Sequence, residues 1–339
     1  MKAVFTPLRL LMLAGIALLA GLVCQSGLAP LHSFQQAISR LGVGWLLLIC
    51  ALSSANYALR LGRWMCLLRI MSVRLPLKQH VLIYLSGFAL TMTPGKAGEI
   101  VRSWYYQRLG VSHAKTMTAF LSERLLDLIA VLVLASGLII SFPNYLPIFV
   151  IGVALVAALY VILFHLQTLL NWLNRIRIAP GLMTRIQAAL KRLLPIQAEF
   201  RQCNRLPVLM PMIALSTLSW SLEAFGLVWM CQGLGYPVTA GYLVFVYALS
   251  MIAGVVSFLP GGLGGVEGVM IVLLGLKGVA WADAVAMTAV LRLGTLWYAT
   301  LVAVIITPLA RKAIGNPMLN NQSSMSLSDP ESAHPEKQP

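Results

Sequence analysis

Only ten of the 339 residues are acidic, and where they fall decides what chemistry the chain can carry. Asp329, Glu331 and Glu336 lie in a polar C-terminal stretch, and Glu199 lies in a basic, leucine-rich one. Glu99, Glu123, Asp127, Glu223, Glu267 and Asp283 lie in or beside long apolar runs. A charged side chain at the centre of a membrane helix costs about 2.5–3.5 kcal/mol on insertion scales, so such residues face a bundle interior or a wet cavity and mark a pathway. In "SERLLDLIA" the spacing puts Glu123 and Asp127 on one helix face, i and i+4, with Arg124 reaching Asp127 at i+3. Lys96, Arg102, Arg124 and Arg292 suit a phosphate head group, because a guanidinium matches two phosphate oxygens at once. Glu99, Glu123, Asp127 and Glu267 suit three tasks: orienting those cations, carrying a coupling proton, or pairing with an amino group on a lipid. The structural alternative is that Glu–Arg and Glu–Lys pairs only neutralise one another and lock a bundle. Any one residue fits either role; the set together points to a pathway.

Two Pro-Gly clusters stand beside these charges. "MTPGKAGEIVR" contains Pro94, Gly95 and Gly98, and "SFLPGGLGGVEGVM" contains Pro260, Gly261, Gly262 and Gly264. Each ends a short apolar segment (79–92 and 242–258) and precedes another short helical piece (97–109 and 265–277). Irregular backbone at membrane depth survives only where protein or a wet cavity satisfies its N–H and C=O groups. The two segments are therefore expected to be re-entrant hairpins, half-helices meeting at an elbow, rather than surface turns. A half-helix starting just after either elbow aims unpaired N–H groups and a positive dipole end into the cavity, which favours an anion.

The elements that must hold these residues are membrane helices. The chain is 59% hydrophobic and 10% charged, too apolar for a soluble domain. Runs long enough to cross roughly 30 Å of hydrocarbon are expected at 8–28, 43–64, 116–142, 146–166, 208–231 and 283–309. No alternating strand pattern of the barrel type is present, so the fold class is an all-α polytopic membrane protein. About six spans and two re-entrant hairpins make up a membrane domain over 1–312, followed by a disordered cytoplasmic tail over 313–339. The N-terminus resembles a signal peptide, but 8–28 is long enough to span and is read as a retained first helix.

The net charge of +15 is a topology signal and not a nucleic-acid surface. With the N-terminus in the cytoplasm, Arg63, Arg69, Arg74 and Lys78, the arginines and lysines of 175–205, and Arg311 and Lys312 all fall inside, leaving Arg40 and Lys277 outside. That holds only if both short segments return to the side they came from. "MTPGKAGE" followed by "MTAFLSER" and "FLPGGLGGVE" followed by "MTAVLR" repeat one pattern in opposite orientations. This is the inverted repeat of transporters whose site lies at the midplane, with halves of about 43–166 and 208–309. Residues 167–206 join them as a basic amphipathic segment suited to an anionic lipid surface.

Several classes are excluded. The five cysteines and five histidines show no disulfide or metal-ligand spacing, and no nucleotide, metalloprotease or nucleophile-elbow motif is present. No metal and no cofactor is expected, and no enzyme activity is indicated.

"PGKAGEIVR", "SERLLDL" and "FLPGGLGGVEG", in this order, resemble the flippase-like membrane domain of the lysylphosphatidylglycerol synthetases and its stand-alone relatives, over about residues 8–310. Glu99, Arg102, Glu123, Arg124, Asp127 and Glu267 match that family's signature charges; Lys96 lies within its first motif, and Arg292 is assigned from the internal repeat alone. In the bifunctional synthetases this domain moves an aminoacylated lipid to the outer leaflet, and a separate domain makes it. Here only a tail follows, so aminoacyl transfer is not expected. The resemblance implies a transporter in the bacterial cytoplasmic membrane, with both termini cytoplasmic, that moves a phospholipid, an aminoacylated lipid or a polyprenyl-phosphate-linked lipid. A lipid-modifying partner enzyme or a second copy are the protein partners it would suit. The rivals are a membrane-embedded enzyme with Glu99 or Glu123 as general base and an accessory protein of lipid or lipid-linked glycan metabolism.

Overall fold

A computed structural model describes residues 29–90, 101–139, 142–173, 194–257 and 259–315, and these are helices joined by short turns, with no strand among them. In chain order the helices are α1 (Ala29–Ile70), α2 (Leu77–Ser86, continued by a 3-10 turn Gly87–Leu90), α3 (Val101–Arg108), α4 (His113–Ile139), α5 (Leu146–Phe164) and α6 (Leu166–Leu173). They continue with α7 (194–203), α8 (Leu206–Gly233), α9 (Ala240–Val256), α10 (Gly265–Gly275), α11 (Trp281–Arg292) and α12 (Tyr298–Ile314). Among the described residues four stretches are long and apolar enough to cross a membrane: Gln35–Ile70, Pro143–Phe164, Leu206–Gly233 and Trp281–Ile314. At 27 residues, α4 is about 40 Å long, and it carries the charges that set it apart from those four. The expected spans at 43–64, 116–142, 146–166, 208–231 and 283–309 fall on these helices. The 8–28 span, most of the tail and residues 174–193 lie outside the described residues.

Side-chain contacts order the bundle. α1 and α8 run antiparallel: Cys203, just before α8, reaches the Leu67 carbonyl at 3.8 Å, whereas Gly233 at the far end of α8 packs on Trp45. α11 and α12 run parallel to α1, since Asp283 meets Arg40, Gly294 abuts Ile49 and Tyr298 stacks on Tyr57. Between α11 and α12 the backbone widens into a π turn over Leu293–Trp297, and the Tyr57 hydroxyl donates to the Thr295 carbonyl there at 2.8 Å. One end of the bundle thus gathers Ile70, Gln202, Arg108 and Gly315. The other gathers Arg40, Tyr236, Asp283, Lys277 and Phe142.

Two helix pairs fold back on themselves, and they open at opposite ends. In the first, His80 of α2 meets Tyr106 of α3, and Gly87 lies against Arg102. In the second, the Tyr242 hydroxyl of α9 donates to the Leu273 carbonyl of α10 at 2.7 Å, and Gly254 lies against Gly262. Gly261, Gly262 and Gly264 all adopt positive φ (64°, 69° and 82°), the left-handed conformation that only glycine takes without strain. A Cβ on Gly254 would overlap Val266 and stand 3.5 Å from the Gly262 Cα. Gly254→Leu is therefore expected to destabilise the protein by about 1–3 kcal/mol through overpacking, read as a lowered melting temperature in detergent. An unchanged Tm would show that α9 and α10 do not pack this closely.

α7 is the described C-terminal part of the segment 167–206, of which residues 174–193 lie outside the described residues. It folds back on the bundle, burying Ile196, Phe200 and Cys203, and its Gln197 side chain donates to the Phe164 carbonyl at 2.7 Å. Burial, with the neighbouring charge of Glu199 behind it, pushes the Cys203 thiol up to about 12. Since the thiolate is the nucleophile, Cys203 is expected to resist maleimide at pH 8 until the protein is denatured, as read by peptide mass spectrometry.

Candidate functional site

Helix periodicity builds the centre of the bundle. On α4, Glu123 and Asp127 are one turn apart; on α1, Arg60 and Arg63 are three residues apart, and the two faces meet. Arg60 lies 3.5 Å from Glu123 and 3.1 Å from Asp127, and Arg63 lies 3.2 Å and 2.8 Å from the same pair. α3 adds Arg102, whose Nη1 is 3.0 Å from Glu123 Oε2. Arg124 lies 3.5 Å from Glu123 and 3.2 Å from Asp127. Neutral donors complete the shell: the Tyr84 hydroxyl to Glu123 at 2.6 Å, the Trp220 indole N–H to Asp127 at 3.1 Å, and Arg63 in turn to the Ser216 hydroxyl. Four guanidiniums and two carboxylates from α1, α3 and α4 thus form one network. Along α4 it begins ten residues from His113, about 15 Å, and so lies near the middle of the bundle's depth.

The arginines also lie over aromatic faces. Arg102 Cζ is 3.9 Å from the Tyr84 ring centroid and 5.2 Å from that of Trp64, Arg60 is 5.7 Å from Trp220, and Arg124 is 5.7 Å from Phe120. Such contacts gain strength when desolvated, which fits a site where Glu123 and Arg63 are wholly buried. The Arg124 side chain is the most accessible of the four, at 18%.

A second ionic pair belongs to the other folded-back helices. The Arg292 Nε donates to Glu267 Oε1 at 2.6 Å and its Nη2 to the Gly261 carbonyl at 2.6 Å, while Glu267 Oε2 accepts from the Gly264 N–H at 2.7 Å. Arg292 and Glu267 therefore brace the glycine elbow from Pro260 to Gly264. The polarity is reversed between the two halves: Arg102 on α3 meets a carboxylate of α4, whereas Glu267 on α10 meets an arginine at the end of α11. The two centres are bridged by Trp220 and Glu223, one turn apart on α8, with Tyr247 donating to Glu223 at 2.7 Å. Arg60 and Arg292 both lie within electrostatic reach of the Tyr247 hydroxyl.

The structure thus unites Arg102, Glu123, Arg124 and Asp127, and sets Glu267 and Arg292 in a neighbouring centre. Lys96, Glu99 and the elbow residues Pro94, Gly95 and Gly98 lie outside the described residues. Among the described residues no group of histidine, cysteine and carboxylate side chains could hold a metal. Sequence reasoning missed Arg60 and placed Arg63 in a cytoplasmic loop, whereas α1 continues to Ile70 and buries both. The signal was present: Asn56, Arg60 and Arg63 follow one another at i, i+4 and i+7, a polar face along an apolar helix. Asn56 uses that face to donate to the Ser219 carbonyl at 2.9 Å. Glu223 and Tyr247 were not separable from other membrane-segment residues without the fold.

The family model for the lysylphosphatidylglycerol synthase TM region matches residues 10–303. The chain belongs to this family. It is also similar to a UPF0104 membrane protein of Methanothermobacter thermautotrophicus, 24% identical over 241 residues that cover 65% of this chain and 70% of the relative. A second similarity to a UPF0104 membrane protein of that organism is 29% identical over 108 residues, 32% of each chain. Membership agrees with the resemblance drawn from "PGKAGEIVR", "SERLLDL" and "FLPGGLGGVEG", and establishes a helical membrane protein. The described part of the matched region contains both ionic centres.

Proposed function

We propose that this protein is a lipid transporter, a flippase that passes a polar head group between leaflets through a midplane cavity while the lipid tails stay in the bilayer. The observation that carries the reading is the buried network of Arg60, Arg63, Arg102 and Arg124 around Glu123 and Asp127. Groups this costly at mid-depth are suited to a head group bearing phosphate, because guanidiniums recognise phosphate oxygens in pairs. Lys96 and Glu99 join this site in the proposal, and Glu267 and Arg292 hold the elbow that faces it. The opposite opening of the two folded-back helix pairs, and the reversed polarity of their ion pairs, support re-entrant hairpins in an inverted repeat. Such halves rock against one another to expose one site to each side in turn. The basic end is the cytoplasmic one in this reading, which puts both termini in the cytoplasm of a bacterial inner membrane.

The test is leaflet exchange by purified protein in liposomes across head-group-labelled anionic, zwitterionic and aminoacylated lipids. Head-group-selective exchange is expected, with loss in Arg124→Ala. Exchange of no lipid by the folded protein, with or without a proton gradient, would overturn the reading and favour a membrane-embedded enzyme or an accessory protein. A chemically changed lipid would identify the enzyme.

A further inference from the structure

His80 stands on α2 in the first folded-back pair, buried to 1% exposure. Its Nδ1 is 2.7 Å from the Tyr106 hydroxyl on α3, and the same hydroxyl accepts the Trp64 indole N–H from α1 at 2.9 Å. An indole nitrogen only donates, and a phenol has one proton to give. Tyr106 is wholly buried, and among the described residues His80 Nδ1 is the acceptor within reach of its hydroxyl proton. The hydroxyl therefore donates to Nδ1, and the closed arrangement is built for a neutral imidazole protonated on Nε2. This three-residue chain is one helical turn from the Tyr84–Glu123–Arg102 contacts, since Tyr84 follows His80 by four residues and Arg102 precedes Tyr106 by four.

We propose that His80 is a proton-binding site that lets the two limbs of the first hairpin stay closed only while its imidazole is neutral. A proton added at Nδ1 sets two donors facing each other across the contact, and the Tyr106 hydroxyl must give up its acceptor inside a buried aromatic cluster. The surrounding arginines oppose that proton as well, whereas the Glu123 carboxylate works in the other direction. From α1, Arg69 lies within electrostatic reach of His80. Arg102 on α3 and Glu123 on α4 act on Tyr106, and Arg311 on α12 reaches the adjacent Tyr105. Closure is thus complete above the ordinary histidine value of about 6.5 and is lost as the pH falls below it. Loosening these limbs releases Arg102 from its place beside Glu123. The consequence for lipid exchange rests on the transport reading, but the switch itself does not.

Hydrogen–deuterium exchange tests it on the full chain in nanodiscs, corrected for intrinsic rates, between about pH 8 and pH 5.5. In the wild type the protection of peptides spanning 77–90 and 101–109 is expected to fall by up to about tenfold per pH unit below the transition, the limit for one linked proton, while α8 peptides stay constant. His80→Asn is expected to abolish the dependence. Tyr106→Phe, which removes the donor to the neutral ring, is expected to shrink the fall, because a proton at Nδ1 then meets no opposing donor in the closed form. Protection independent of pH in the wild type, or an unchanged fall in His80→Asn, overturns the proposal. If His80→Asn does not fold, a fall of wild-type size in Tyr106→Phe does so. Because no lipid movement is measured, failure here is distinct from failure of the transport reading.

Discussion

Glu123→Ala is expected to destabilise the protein by about 3–5 kcal/mol, the cost of leaving buried ionic partners uncompensated. Its carboxylate accepts from or neutralises Arg60, Arg63, Arg102, Arg124 and Tyr84, drawn from four helices. Alanine removes the anion and leaves Arg63 and Arg102, both within 1% of full burial, in a membrane interior. The protein should then show a sharply lowered Tm in detergent, with low yield from the membrane. Glu123→Gln keeps two hydrogen-bonding atoms but loses the charge, so it should fall between wild type and alanine. A Tm within a degree of wild type for Glu123→Ala would mean that the arginines find other compensation and that the network is not the structural centre described above.

Arg124→Ala should do the opposite: large loss of function with modest loss of stability. Glu123 keeps Arg60, Arg63, Arg102 and Tyr84, and Asp127 keeps Arg60, Arg63 and Trp220. The side chain is also the most accessible of the four guanidiniums. On the transport reading it is the arginine best placed to reach a head group. A hydrogen bond to a charged group is worth about 1.5–3 kcal/mol, so leaflet exchange should slow by roughly tenfold to more than a hundredfold. Exchange at the wild-type rate in the folded variant would remove Arg124 from the site. A loss of stability matching that of Glu123→Ala would make it a brace like Arg63.

These two variants separate roles that one buried network combines. Arg63 is enclosed by Glu123, Asp127 and Ser216, and its task is to position the carboxylates. Arg292 is enclosed by Glu267 and the Gly261 carbonyl, and it positions the second elbow. Arg102 and Arg124 stand where α3 and α4 come together.

The sequence by itself determined the solvent, the helices and most of the chemistry. Apolar runs of spanning length demand a membrane because a soluble core cannot absorb them, and Pro-Gly clusters inside such runs mark where a continuous helix is interrupted. Glu123, Arg124 and Asp127 were legible as one face because the helical period is a local property. Arg60 and Arg63 could have been read the same way, but basic residues near the end of a span also signal a cytoplasmic loop, and composition does not choose between the two. Only the tertiary structure decided that α1 continues to Ile70 and turns both arginines onto α4. It also decided that Arg102 joins Glu123 while Arg292 joins Glu267, that Glu223 and Tyr247 bridge the two centres, and that Tyr106 faces His80. These are pairings between helices, and the arginine–carboxylate pairs of the first centre that join helices are 21 to 67 residues apart along the chain. Helix period fixes which side chains share a face, but which faces meet depends on how the whole bundle packs.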